Sequence, residues 1–254
     1  MNAVADKDER KTLYLTKLQQ TGGSRGFCIL VSPVHRPVTE LHSEDFAKMW
    51  WKCVLGHKEL WDHGIHHRDV GLNSLMYYKN DKSQPVGILI DYDLRPKING
   101  RIGTPAFMAF DLLNSRGLAG QVMQLYRHDL ESFFWALVLF CLQNENGKQR
   151  KKGPLDAWLK VNTDICHEKK SGFLNRMDDF TALATSLNPN LNLWCIAYEY
   201  AFKIIAQQEQ RKRLRRPRAR PAQLPTELSN DMLFKELEDV VLEEYASIMT
   251  YENA

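Results

Sequence analysis

Asp69 and Asp91 flank a stretch whose types and spacing could do chemistry. Asp69 closes the run His67-Arg68-Asp69, and Asp91 opens Asp91-Tyr92-Asp93. Between them lie two apolar runs, 75–78 and 86–90, joined by the polar turn 79–85. If both runs are strands, the turn folds them into a hairpin and returns Asp91 to the end where Asp69 stands. Two carboxylates held so can share one site. One can accept the proton of an attacking hydroxyl while the other holds a magnesium ion on nucleotide phosphates. Each motif alone also reads as an Asp that caps a turn. The two in this order and at this spacing favour a shared site.

The elements that position these residues are legible around them. Ser43 is an N-cap candidate, with Glu44 and Asp45 placed for the positive end of a helix. Phe46, Trp50, Val54 and Trp61 recur near helical spacing, widened by Met49, Leu55 and Leu60. Gly64 can take the left-handed conformation that stops this helix and feeds the chain into His67-Arg68-Asp69. Of the clustered His63, His66 and His67, no nearby cysteine completes a metal set, so they read as structural. A run starting at His128-Asp129 and apolar nearly all round over 133–142 predicts the buried central helix. A short helix is expected at 110–113, a charged loop at 147–153, and further helices at 155–161, 164–170, 175–187 and 191 to about 210. Residues 27–31 predict a strand closed by Ser32-Pro33. Leu13, Leu15 and Leu18 fit either one helical turn or a short strand, and 21–24 reads as a loop.

The chain has 254 residues, 44% hydrophobic and 26% charged, ample for a sizeable core. Its net charge of +3 hides an asymmetry. The tract that begins at Arg211 and ends at Arg220, RKRLRRPRAR, carries seven basic side chains, so the remainder is mildly acidic. Charge density and prolines make this tract a solvated linker, with nuclear import or phosphate-backbone binding as its functional readings. Beyond it, Leu233, Leu237, Val240, Val241, Tyr245 and Ile248 form the apolar face of a helix with an acidic opposite face. Docking on the body is the default for that helix. Five scattered cysteines without a C-x-x-C pair read as reduced thiols. With no signal-peptide layout and no membrane-length apolar run, the expectation is an intracellular chain, cytoplasmic or nuclear, without a membrane partner.

In this order the motifs resemble a eukaryotic-type protein kinase, and more closely the fungal-specific protein kinase family, over residues 27–208. Residues 27–37 resemble the strand and hinge that hold an adenine ring. His67-Arg68-Asp69 resembles the catalytic loop, and Asp91-Tyr92-Asp93 the metal-binding motif, with Asp93 in place of the usual Gly. Gly103-Thr104-Pro105-Ala106-Phe107-Met108-Ala109 resembles the segment on which the protein substrate rests, with Asp111 in place of its closing Glu. His128-Asp129-Leu130-Glu131-Ser132-Phe133-Phe134 is the most family-like run.

The resemblance implies ATP and Mg²⁺ as nucleotide and metal and a Ser/Thr hydroxyl of a protein as acceptor. It implies Asp69 as the catalytic base, Asp91 as metal ligand, and His67, Arg68, Asp111 and Asp129 as architecture. Thr104 would shape the acceptor platform, and Tyr92 would lie under the site. The fold class expected is α+β, mostly α-helical: a kinase-like C-terminal lobe with a remnant hinge strand and no complete N-terminal lobe. The division expected is 1–26 as N-terminal remnant, 27–210 as kinase-like domain, 211–228 as basic linker and 229–254 as amphipathic helix.

Two departures stand out. The family's second metal ligand, an Asn five residues after the catalytic Asp, is replaced by Ser74, leaving Asn73 or Ser74 as substitutes, and Gly71 stands where a polar or basic phosphate contact is common. No G-x-G-x-x-G precedes the hinge-like strand. Three readings follow: a kinase lacking its N-terminal part, a catalytically inactive kinase-like binding or scaffold module, or a nucleic-acid-associated protein acting through Arg211 to Arg220.

Overall fold

The computed structural model describes residues 2–5, 11–18, 26–92, 104–145, 147–160, 163–187, 192–214 and 228–245. Its first element is an antiparallel sheet of β1 (Asn2–Ala5), β2 (Lys11–Leu18) and β3 (Gly26–Pro33), in that order. β2 lies along the whole of β3, from Lys11↔Pro33 to Leu18↔Gly26. Leu13, Leu15 and Leu18 therefore belong to a strand, not a helical turn. The segment set apart at 1–26 is continuous in one sheet with the strand expected to open the domain. The expected loop at 21–24 lies outside the described residues.

A second sheet carries the hairpin. β4 (Arg36–Pro37), which the sequence reading missed, pairs with β5 (Leu75–Lys79), and β5 pairs with β6 (Pro85–Leu89) from Leu75↔Leu89 to Lys79↔Pro85. Asn80 builds the turn, its side-chain oxygen accepting from the amides of Lys82 at 3.0 Å and Gln84 at 2.9 Å. The hairpin lies on α1 (Ser43–Asp62). Contact is so close that a Cβ at Gly87 would stand 2.6 Å from the Met49 carbonyl oxygen.

α1 buries Phe46, Met49, Trp50, Val54 and Trp61 of the expected stripe, leaves its Leu55 and Leu60 half-buried, and buries Trp51, Cys53 and His57 besides. Its N-cap is His42, one residue before the Ser43 anticipated, so Ser43 is already helical. Gly64, at φ +80°, ends the helix as expected, with its amide on Trp61 O and that of Ile65 on Leu60 O, both at 2.9 Å.

The short helices α2 (Phe110–Leu113) and α3 (Ser115–Leu118) precede α4 (Tyr126–Gln143), the centre of the molecule. Every residue of α4 but Arg127 is buried. It begins two residues ahead of the expected His128, whose Nδ1 accepts from the Leu125 amide at 3.0 Å and so caps the helix start. Phe140 stacks on Phe46 of α1 at 3.5 Å between centroids, and Trp50 Nε1 donates to Phe133 O at 3.2 Å.

Part of the expected charged loop forms a small hairpin, β7 (Asn144–Glu145) with β8 (Lys148–Gln149). Helices α5 (Asp156–Lys160), α6 (Thr163–Leu174), α7 (Asp178–Leu187), α8 (Asn192–Leu214) and α9 (Asn230–Glu244) complete the described fold.

α8 continues through Arg211, Lys212 and Arg213, so the basic tract does not start as a linker. Within this helix Arg211 lies largely out of solvent, 3.4 Å from the carboxylate of Asp111. The tract beyond Leu214 lies outside the described residues. α9 is capped by Ser229, whose hydroxyl accepts from the Met232 amide at 3.3 Å. Its expected face docks on the body: Leu233, Leu237, Val240, Val241 and Tyr245 join the core, and Phe234 stacks on Trp51 at 5.9 Å. Each such fully buried Leu or Val contributes roughly 1.5–3 kcal/mol. Ile248, placed on the same face, lies outside the described residues.

The described residues are mostly helical with small sheets, an α+β fold. Cys53, Cys141, Cys166 and Cys195 are free thiols, the first three buried. Among the described residues no helix is long and apolar enough to cross a membrane.

Candidate active site

The loop between α1 and β5 is held by side chains that reach into its backbone. His67 is fully buried. Its Nε2 donates to the Ile90 carbonyl at 2.7 Å, and its Nδ1 accepts from the Asp69 amide at 3.2 Å. That pair of bonds defines a neutral tautomer. Burial lowers the His67 pKa, and the Ile90 carbonyl and nearby carboxylates only partly oppose it. The ring also meets Tyr92 edge-on at 4.6 Å.

His67 thus joins the backbone of Asp69 to that of the residue before Asp91. The Ile90 amide extends the hairpin ladder to Ser74 O at 2.9 Å. Both aspartates stand beside the open end of the hairpin. The Asp69 carboxylate accepts from the Thr104 amide at 3.2 Å. Asp91 is exposed. Asp93 lies outside the described residues.

Two non-glycine residues here are left-handed, Arg68 at φ +70° and Asp91 at φ +64°. Such backbone costs of order 1–3 kcal/mol and persists where surroundings over-determine it, commonly at functional sites. At Arg68 the cause is visible. Its N–H donates to Asp129 Oδ2 at 3.0 Å, and its carbonyl accepts from Gln124 Nε2 at 2.7 Å. Asp129, with no exposure, also accepts from His57 Nε2 at 2.9 Å and from Gln124 Nε2 at 3.2 Å. Burial pushes its carboxyl up, but the His57 and Arg68 donors hold it below the ordinary range.

Ser74 is engaged within the loop. Its hydroxyl accepts from the Gly71 amide at 3.1 Å, donates to Gly71 O at 3.0 Å and lies 3.4 Å from Asp69 O. Asn73 is exposed beside it. A Cβ at Gly71 would lie 2.5 Å from Phe107 Cδ2, so the Phe107 ring fills the room a side chain would need.

Phe107 belongs to the facing segment 104–113. A cavity of about 10 Å³, the room of a single water, lies between loop and segment, with Asp69, Thr104, Met108, Leu112 and Gln124 in its wall. The segment is gripped from behind at several points. Lys170 Nζ donates to Met108 O at 2.6 Å, and Cys166 Sγ donates to Pro105 O at 3.3 Å. Glu131 accepts from the Phe110 amide at 2.8 Å and from Trp135 Nε1 at 3.2 Å.

Lys170 and Glu131 are both buried, and Lys170 sits 4.5 Å over the Trp135 ring. Burial lowers Lys170 to about 7 against the pull of Cys166 and Glu131. It holds Glu131 above the carboxylate range against the Phe110 bond and the Lys170 charge. Asp111 lies 3.0 Å from Arg127, 3.4 Å from Arg211 and 3.9 Å from His128. Burial opposes its ionisation, but His128, Arg211 and Arg127 hold it well below the usual range.

His67, Arg68, Asp69, Asp91, Asp111 and Asp129 are legible in the sequence, and most of the residues that grip them are not. His57 had a signal, a polar residue on the apolar stripe of α1. Gln124 and Lys170 had none. Among the described residues no cluster of three or more His, Cys, Asp or Glu could hold a metal by itself. Magnesium usually takes one or two carboxylates and completes its shell from phosphates and water, so the exposed Asp91 fits that use.

Every part of this arrangement up to α4 lies within residues 5–141, which the family model described as "Fungal protein kinase" matches. That is more than half of the chain, and the chain belongs to the fungal protein kinase family. The match starts ahead of the strand β3 expected to open the domain and ends inside α4. No curated protein matches the chain.

Proposed function

We propose that this site transfers the γ-phosphoryl group of ATP to a Ser or Thr hydroxyl of a protein. The observation that carries this reading is the Asp69 carboxylate, bonded to the Thr104 amide and mounted on a left-handed peptide that buried Asp129 pins. Asp69 accepts the hydroxyl proton as the nucleophile attacks. Thr104 and the segment behind it orient that hydroxyl. Asp91 would hold Mg²⁺, which supplies neutralisation of phosphate charge when bound. His67 keeps Asp69 and Asp91 in register through the backbone bonds at its two ring nitrogens.

The test is phosphate transfer from ATP to dephosphorylated casein by the full chain, with acceptor residues identified. Asp69→Asn should lower kcat by about 10²- to 10⁴-fold, the usual contribution of a positioned base. Phosphoserine or phosphothreonine should form. Equal activity in wild type and Asp69→Asn sinks the reading.

One observation favours a second reading, a kinase-like binding module. Ser74 replaces an amide ligand, and its hydroxyl is tied into the loop. A binding module would gain stability from Mg-ATP yet leave casein unlabelled. Saturating a site at a hundredfold over Kd adds about 2.7 kcal/mol. Nucleic-acid binding through Arg211 to Arg220 is less favoured, because Arg211 already faces Asp111.

A further inference from the structure

We propose that Lys170 is the positioning residue of the acceptor platform: its grip on the Met108 carbonyl sets the surface that presents an acceptor hydroxyl to Asp69. The inference rests on the phosphotransfer reading for its kinetic consequence and on geometry alone for its structural one.

Segment 104–113 turns on itself ahead of α2, with the amides of Phe107 and Met108 on Thr104 O, but the Met108 carbonyl and the Phe110 amide take their partners from elsewhere. The Met108 carbonyl finds Lys170 at 2.6 Å, and the Phe110 amide finds Glu131 at 2.8 Å. These partners come from different helices, α6 and α4, and the Trp135 indole links them. Its Nε1 donates to Glu131, and its ring lies 4.5 Å under Lys170 Nζ. A buried acid and a buried base around one indole thus hold two nearby points of the segment. Met108 also walls the cavity it shares with Asp69 and Thr104. A shift of its carbonyl therefore moves the surface facing the catalytic carboxylate.

Chemistry separates this role from plain packing. A buried ammonium is expensive, and an apolar side chain of similar length fills the same volume more cheaply. Only a donor holds a carbonyl. Removing the donor while keeping the volume should therefore free the segment and leave the core filled. Neither Lys170 nor Glu131 lines the cavity beside Asp69.

The experiment compares wild type, Lys170→Met and the double variant Lys170→Met/Glu131→Gln in the full chain. The double variant removes both charges and retains an acceptor for the Phe110 amide, which protects the test against simple unfolding. Amide exchange is read by peptide over 104–113, and KM values for casein and for ATP are read separately.

The expected result is exchange over 104–113 faster by about tenfold or more with the rest of the chain unchanged. The casein KM should rise roughly 10- to 100-fold while the ATP KM stays at the wild-type value. Unchanged exchange in the segment overturns the proposal. So does a parallel change of both KM values in the well-folded double variant. If wild type leaves casein unlabelled, the phosphotransfer reading and the kinetic half fall together, and the exchange result alone decides whether Lys170 holds the segment.

Discussion

The loop that carries Asp69 and the segment 104–113 that faces it are held by the same helix, through two carboxyls shifted in opposite directions. Asp129 grips the Arg68 amide, and Glu131, two residues on along α4, grips the Phe110 amide. Both carboxyls are buried, and burial pushes both upward. Yet Asp129 lies below its ordinary value and Glu131 above it. The difference lies in the donors. Asp129 collects His57, Gln124 and the Arg68 amide. Glu131 has one amide and one indole, and Lys170, whose charge favours its ionised form, donates to Met108. Burial alone thus fixes neither charge nor role. The Asp69 loop is pinned by an anion, and segment 104–113 by a pair poised nearer neutrality.

The largest effect should come from removing the anion. Asp129→Ala leaves His57 and the Arg68 amide without their buried acceptor and should cost about 3–5 kcal/mol. Asp129→Asn keeps one acceptor and should cost about 1–3 kcal/mol. Urea denaturation measures both, and a cost under 1 kcal/mol for Asp129→Ala would erase the contrast. Glu131→Gln should cost less than Asp129→Asn, about 1 kcal/mol or less, since it keeps the oxygen that Phe110 uses.

The two carboxyls should also respond to pH with opposite sign. Asp129 is lowered from 3.8, so its contribution is complete above that value and is lost as pH falls toward the folded value. Asp111, lowered from 3.8 as well, adds to that acid loss. Glu131 is raised from 4.5, so its contribution is present below 4.5 and is lost as pH rises through the folded value. Stability of wild type minus Asp129→Asn, and of wild type minus Glu131→Gln, measured against pH, should slope in opposite directions. Parallel slopes would refute the assignment.

A smaller effect belongs to the seam between the two regions. Gly71→Ala drives a methyl into the Phe107 ring and should cost about 1–3 kcal/mol. Phe107→Leu in the same chain should recover part of it, and full additivity of the two changes would show that the seam does not couple loop and platform.

Much of this frame was legible because periodicity reports burial. The stripe of α1, the apolar run of α4 and the face of α9 each announced which residues would be inside, and the turn at Asn80 announced the hairpin. Partnership was not legible. Nothing in the spacing tells Gln124 to take the Arg68 carbonyl or Lys170 to take that of Met108, because these bonds join segments far apart in sequence. The same limit explains α8. Local charge density argues for a linker at Arg211, and the carboxylate that meets its side chain stands a hundred residues earlier. Glu131 stood in plain view within the most family-like run, yet its role appears only once the platform lies against α4.

The docking of α9 has a consequence for how the chain reaches its native state. Phe234 covers Trp51, and Asp231 meets Lys58 across 173 residues of sequence. During synthesis α1 and α4 are complete long before their cover exists, so an apolar face waits in water until α9 emerges from the ribosome. Contacts of such span slow folding and lengthen the interval in which chaperones or neighbouring nascent chains compete for that face.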